Sequence, residues 1–290
     1  MNFYKNEKTG LLFSLPSLII AFLFSIYPLI KTFIYAFSFT DEKGKIVELA
    51  GFENFAELFT DPSFYLSIFA TFKFAIITVF FSITIALFLA ILCNEKIKGI
   101  GFFRTIFSSS LGVSISASAS IVLFMFHPSL GVINEIIKFF GGVPLNWLTD
   151  SKYALITVAI STIWMNIGFG FLVLTAGLQN ISTDIDESCA IDGASYFNKL
   201  FKVTLPLLSP SIFYLTITTT LKAFQGFGQV DILTGGGPNN ATNFLVYSIY
   251  KTAFSSYRFD YASVQGVILL IIIIAIMLFK SKLEKKVHYQ

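Results

Sequence analysis

Charge is what this sequence lacks. Only 13% of its 290 residues are Asp, Glu, Lys or Arg, while 55% are hydrophobic. A soluble domain carries roughly 25% charge, so this balance excludes one and points to a chain that crosses a lipid bilayer repeatedly. Histidine and cysteine are scarce too, with two of each. His127 and His288 stand alone at the ends of apolar runs, and Cys93 and Cys189 have no CxxC spacing. Metal ligation and a disulfide are therefore not expected, and both cysteines read as free packing thiols in a reducing compartment. No glycine-rich stretch runs into GK[ST], so no phosphate loop for ATP is present. No nucleophile elbow and no paired carboxylates in apolar surroundings suggest catalysis. The expectation is a protein that is not an enzyme and holds no metal or cofactor of its own. A net charge of +3 is too small to draw nucleic acid.

What the sequence has in quantity is long apolar runs. Six can span a bilayer, which takes about 20 mostly apolar residues each: Leu11 to Tyr35, Phe74 to Asn94, Thr105 to Phe126, Tyr153 to Leu178, Val203 to Phe227 and Tyr261 to Phe279. The first is interrupted by Pro16 and Pro28, and no small-residue cleavage site follows it, so it is expected to stay as an anchor. With the N-terminus inside, the inner segments hold eleven cations (Lys5, Lys8, Lys96, Lys98, Arg104, Lys199, Lys202, Lys280, Lys282, Lys285, Lys286). The outer loops then hold six (Lys43, Lys45, Lys138, Lys152, Lys251, Arg258). Lys and Arg favour the cytoplasmic side, so both termini are expected in the cytoplasm.

The third run carries seven serines, from Ser108 to Ser120, with Gly112, Ala117 and Ala119. Small residues let helices approach closely in lipid; a polar wall along a solute path is the alternative. Lys73 and Lys222 fall within or beside spans, where charge is costly and often functional, though both can snorkel to the outer surface. Thr234 to Asn240, TGGGPNN, is a turn cluster in the third outer loop.

The stretch from Ile181 to Ile212 is different in kind. Thr183 is placed to cap a helix and Asp186 to complete a capping box. Asp184, Asp186 and Glu187 suit the positive end of a helix dipole. Asp192-Gly193 signals a turn, and a second short amphipathic piece, Ala194 to Phe201, carries Tyr196, Phe197 and Phe201. Pro206 and Pro210 open the next apolar run, where a helix tolerates proline best. The pattern predicts a helix-turn-helix elbow at a membrane face, built to touch another protein.

These residues resemble the EAA loop of permease subunits of binding-protein-dependent ABC importers: Glu-Ala-Ala, three residues, Gly, nine residues, Ile, one residue, Leu-Pro. Here the spacing is filled by Glu187-Ser188-Cys189, Gly193, Val203 and Leu205-Pro206, with Ser188, Cys189 and Val203 as departures. The stretch from Asp231 to Tyr250, with its LTGGGP, and the tail Leu283 to Gln290 are similar to the carbohydrate-uptake branch, nearest the first permease subunit of glycerol-3-phosphate and oligosaccharide importers. The resemblance implies an all-α polytopic membrane protein with six transmembrane helices and the type I ABC importer permease fold. It divides the chain into an N-terminal segment with the first span and outer loop (1–63), the transmembrane domain with its coupling loop (64–282, loop 181–206) and a cytoplasmic tail (283–290).

The resemblance also implies function. The chain would move a sugar or sugar-like solute, glycerol-3-phosphate among the candidates, across a bacterial inner membrane by alternating access. It would work as a heterodimer with a second, homologous permease, two ATP-binding subunits that hold the ATP, and an external solute-binding protein, all set in membrane lipid. Glu187, Cys189, Ala190, Asp192, Gly193, Val203, Leu205 and Pro206 are then the ATPase-coupling residues. Alignment on Trp164 gives a substrate path of Thr162, Met165, Asn166 and Phe169, and alignment on LTGGGP adds Thr219, Ala223 and Gly226, with Lys222 and Gln225 adjacent. The rival is an ion-coupled secondary transporter, which needs acids inside its spans; none lies in the six runs.

Overall fold

The computed structural model describes residues 7–94 and 98–284. Its helices, in chain order, are α1 (Glu7–Ala21), a π-helical turn (Phe22–Ile26), α2 (Tyr27–Ala36), α3 (Glu53–Thr60), α4 (Pro62–Leu92), α5 (Ile100–Ser108), α6 (Ile115–Met125), α7 (Val132–Phe139), α8 (Ser151–Gln179), α9 (Thr183–Ile191), α10 (Tyr196–Lys199), α11 (Leu205–Leu207), α12 (Ser209–Phe224), α13 (Gly228–Leu233), α14 (Leu245–Phe254) and α15 (Phe259–Leu283). Between α2 and α3 a short antiparallel ribbon pairs β1 (Ser38–Thr40) with β2 (Ile46–Leu49). Chain contacts divide these elements into two units, residues 1–62 with 249–271, and residues 63–248 with 272–290. The first unit thus takes up the start of α15 as well as the N-terminal segment. The expectations for Lys5, Lys96, Lys285, Lys286 and His288, and for the tail beyond Glu284, lie outside the described residues.

Four helices are long and apolar enough to cross a membrane unaided: Gly10–Ala36, Pro62–Leu92, Ser151–Gln179 and Phe259–Lys282. The other two expected spans are broken. Ile100–Gly112 meets Ile115–Met125 at 106°, and Tyr196–Leu207 meets Ser209–Phe224 at 62°. The first break has a local cause. Ser114 takes an extended backbone and its hydroxyl accepts the Ala117 N–H, so a new helix is capped there. At the second break, Pro206 and Pro210 each occupy the first turn of a helix piece, which keeps their missing N–H groups from costing a bond.

In the first unit, the α2–β1 corner is tied by Asn54. Its buried amide nitrogen donates to the carbonyls of Ala36 and Ser38, at 3.3 and 2.9 Å. The Arg258 guanidinium grips Glu57 with two bonds, 2.5 and 2.8 Å, and the Tyr261 hydroxyl donates to Asp61 at 2.9 Å.

The second unit is built on small residues. Along α4 a buried stripe runs Ser67, Thr71, Ala75, Thr78, Ser82, Ala86 and Ala90, about one residue per turn. On α8, Gly170 lies where a Cβ would come within 2.8 Å of the Ala86 methyl, and Gly177 where one would meet Ser211 Oγ at 2.6 Å. Close backbone approach supplies the van der Waals contact that holds helices together in lipid. Ala86, Ala90, Phe171, Leu174, Leu178, Leu208 and Leu215 close a core between α4, α8 and α12.

Two serines of the third run pack between helices, and one of them, Ser110, also lines the cavity described below. Ser110 and Ser118 are buried: Ser110 accepts the Gly168 N–H at 3.0 Å and Ser118 bonds Ser161 at 3.0 Å. Ser114, Ser116 and Ser120 are exposed.

Candidate functional site

The elbow is formed by α9, a tight turn and α10. Its helix start differs from expectation. Ser182, not Thr183, is the cap residue, and its hydroxyl accepts the Asp184 N–H at 3.2 Å. Thr183 is already the first helical residue, because Ser182 is the last with an extended ψ of 139°. The helix end is closed by Gly193 in the left-handed region, φ +67°. The Ala194 N–H reaches back to the Cys189 carbonyl at 3.0 Å and the Gly193 N–H to that of Ala190 at 3.2 Å. This is a Schellman closure, and it needs a residue that takes positive φ without strain. A Cβ at Gly193 would meet nothing within 4 Å, so backbone conformation, not crowding, demands glycine. Ser195 then caps α10 by accepting the Asn198 N–H at 3.4 Å.

The second limb is shorter than the amphipathic piece read from sequence. It holds α10 for four residues and passes into a π-helical turn, Leu200–Thr204, which contains Val203. Leu205 and Pro206 follow, partly buried. Glu187, Ala190, Asp192 and Gly193 are exposed, and Cys189 is partly so. Around them Ile191 is 86% exposed and Phe197 68%, an apolar surface on a segment otherwise rich in acids. Ile181 anchors the elbow by packing on the α4–α8–α12 core. Arg104 fixes the neighbouring end of α4: its guanidinium donates twice to the Cys93 carbonyl, at 2.7 and 3.2 Å.

The second site is a cavity of about 350 Å³ in the second unit, between α8, α12 and the segment that breaks the third span. Thr162, Met165, Asn166 and Phe169 reach it from α8; Lys222, Gln225 and Gly226 come from the end of α12. Thr219 and Ala223 do not line it; both are buried in the packing of α12. The Lys222 ammonium lies 4.6 Å from the Phe169 ring centre, a cation–π contact. Asn166 Nδ2 is buried and has no hydrogen-bond partner among the described residues. Gln229 donates to the Met165 sulfur at 3.3 Å. The lining carries a single charge, that of Lys222, with amides, hydroxyls and two aromatic rings, Phe169 and Phe227. Such a mixture can bind a hydroxyl-rich solute by paired donors and acceptors.

Sequence reasoning missed part of this wall. Leu111, Val113 and Ile115 enter it, beside Ser110 of the serine-rich run, because the third span breaks at Gly112–Ser114, and Gln229 enters from α13. Gly112 followed by Ser114 is a stop-and-cap pattern that could have marked the break.

Similarity to known proteins agrees with this architecture. Residues 82–288 match the family model described as binding-protein-dependent transport system inner membrane component. The sn-glycerol-3-phosphate transport system permease protein UgpA of Agrobacterium fabrum is 31% identical, over 99% of this chain and 98% of that one. A bacterial ABC transporter that imports the acidic polysaccharide alginate shares the fold, with TM-score 0.86 at 23% identity over 98% of each chain. A bacterial alginate ABC transporter, solved with a periplasmic protein bound to an alginate pentasaccharide, gives TM-score 0.84 at 24% identity over 99% of this chain and 98% of that one. The chain belongs to the binding-protein-dependent transport system inner membrane components, the permeases of ABC importers.

Proposed function

We propose that this permease carries a sugar-like polyhydroxylated solute through the α8–α12 cavity, with glycerol-3-phosphate the leading candidate. The observation that carries the reading is the cavity itself, where seven residues expected on or beside the solute path converge with Lys222 as the one charge. The named substrate of the UgpA relatives points the same way. In this reading both termini are cytoplasmic, a second homologous permease completes the path, and an external solute-binding protein delivers the solute; the alginate transporter is found in complex with a pentasaccharide-bound periplasmic protein. Two ATP-binding subunits hold and hydrolyse the ATP; this chain performs no catalysis and binds no cofactor.

The elbow is the joint. Its exposed Ile191 and Phe197 give a partner groove something apolar to grip, and Ile181 joins the elbow to the core from which α8 and α12 rise. Closure of the ATPases would move the elbow and with it the two helices that wall the cavity. Such a shift needs differential affinity for two states, supplied by ATP at one end and solute at the other. The test is uptake by the reconstituted importer with its binding protein. Saturable, ATP-dependent uptake of glycerol-3-phosphate that Asn166→Ala weakens supports the reading; uptake of an unrelated solute class overturns it.

A further inference from the structure

Lys280 holds a charge that no acid answers among the described residues. It lies in the last turn of α15, inside the Phe259–Lys282 span. Its ammonium does not extend past the helix end. It turns onto α12, donating to the Thr216 carbonyl at 2.7 Å and to the Thr220 hydroxyl. Among the described residues no carboxylate pairs with it. An ammonium has three donors, so one remains after these two bonds. Ionisable side chains within spans are rare, and they take a partner or line a path.

Beside this ammonium lies a groove of about 500 Å³ between α4, α12 and α15, walled by Ile76, Phe80 and Phe224 among others. Ile76 and Phe80 are 67% and 61% exposed. The polar groups of the groove are the lysine and threonines. The site thus offers one cation next to an open apolar trough. We propose that it binds an anionic phospholipid, with the phosphate on Lys280 and an acyl chain along Ile76 and Phe80. A soluble anion has no hydrocarbon for the trough. A zwitterionic lipid brings its own cation to a place that already has one. A carboxylate from a partner subunit would answer the charge alone. Basic pockets between transmembrane helices bind anionic head groups by this chemistry.

The experiment uses the assembled importer in nanodiscs of phosphatidylcholine containing phosphatidylglycerol, released and weighed by native mass spectrometry. Wild type should retain phosphatidylglycerol through delipidation. Lys280→Met should lower its occupancy about fivefold, the change expected for one basic residue at a lipid surface, and Lys280→Arg should keep it. Val79→Trp fills the trough and spares the lysine; it should also release the lipid, and it decides the matter if Lys280→Met does not assemble. Equal retention in the variants overturns the proposal. So does carbodiimide cross-linking of Lys280 to an acid of a partner subunit.

Discussion

The ammonium of Lys222 rests 4.6 Å from the centre of the Phe169 ring, α12 against α8 across the cavity. The ring face that a sugar would stack on is therefore already covered by a cation, and Asn166 holds a buried donor with no hydrogen-bond partner among the described residues. A solute that takes both groups gains a hydrogen bond to a charged donor, worth about 1.5–3 kcal/mol, and one to a neutral amide, worth about 0.5–1.5 kcal/mol. Lys222→Ala should weaken uptake about tenfold or more and Asn166→Ala a few-fold, with assembly and basal ATPase activity retained. Unchanged transport kinetics in both would remove the cavity from the solute path.

At the elbow, Gly193→Val should damage coupling far more than Glu187→Gln. Valine is stiff and branched, and φ +67° costs an L-residue about 1–2 kcal/mol. Glu187 is exposed, where a single ion pair is worth only about 0–1 kcal/mol. Gly193→Asn should be the mildest change, since asparagine visits this region most readily. ATPase activity with saturating binding protein, measured beside copurification of the ATPase, separates these cases. Full stimulation in Gly193→Val would show that the turn is not needed.

Gly168→Ala should destabilise the permease by about 1–3 kcal/mol, the usual cost of overpacking. The added Cβ would lie 2.4 Å from Ser110 Oγ and 3.1 Å from the Leu111 backbone nitrogen, and it would push out the bond that Ser110 accepts from Gly168. Ser110→Ala should cost less, since it removes one hydrogen bond without a clash. Thermal unfolding of the purified protein in detergent gives the order.

Acid should loosen the Glu57–Arg258 grip. Arg258 donates two hydrogen bonds to the carboxylate and holds it below the usual glutamate range. A depressed carboxyl contributes stability fully above its unfolded value, about 4.3, and loses it as pH falls through the lower folded value. No change is expected between pH 7 and about 5, and faster hydrogen exchange at Phe259–Tyr261 is expected below about 4. The two side chains are 48% and 42% exposed, so the effect should be small and should shrink in high salt. Glu57→Gln should show the fast exchange already at pH 7.

Much of this was legible without coordinates. Six apolar runs, few charges and the spacing from Glu187 through Gly193 to Pro206 lead to the family and to an elbow, and Gly193 is a turn for the reason its neighbours suggest. The cavity was legible in part. Seven path positions meet there, but Thr219 and Ala223 are buried because helical period alone does not say which face of α12 looks inward. The cap fell one residue off, since Ser182 and Thr183 are chemically alike and only the backbone angle distinguishes them.

The sequence by itself determined that this chain lives in lipid and where its polar elbow lies, because burial of apolar length and the chemistry of turns are local properties. Only the tertiary structure decided that two of the six runs break, at 106° and 62°. It also decided that Ser110 seals against Gly168, that Lys222 covers Phe169, and that Lys280 turns inward onto α12. Each of these depends on which neighbour a side chain meets across the fold, and in a membrane that is set by close packing of small residues between helices, which hydrophobicity along the chain does not encode.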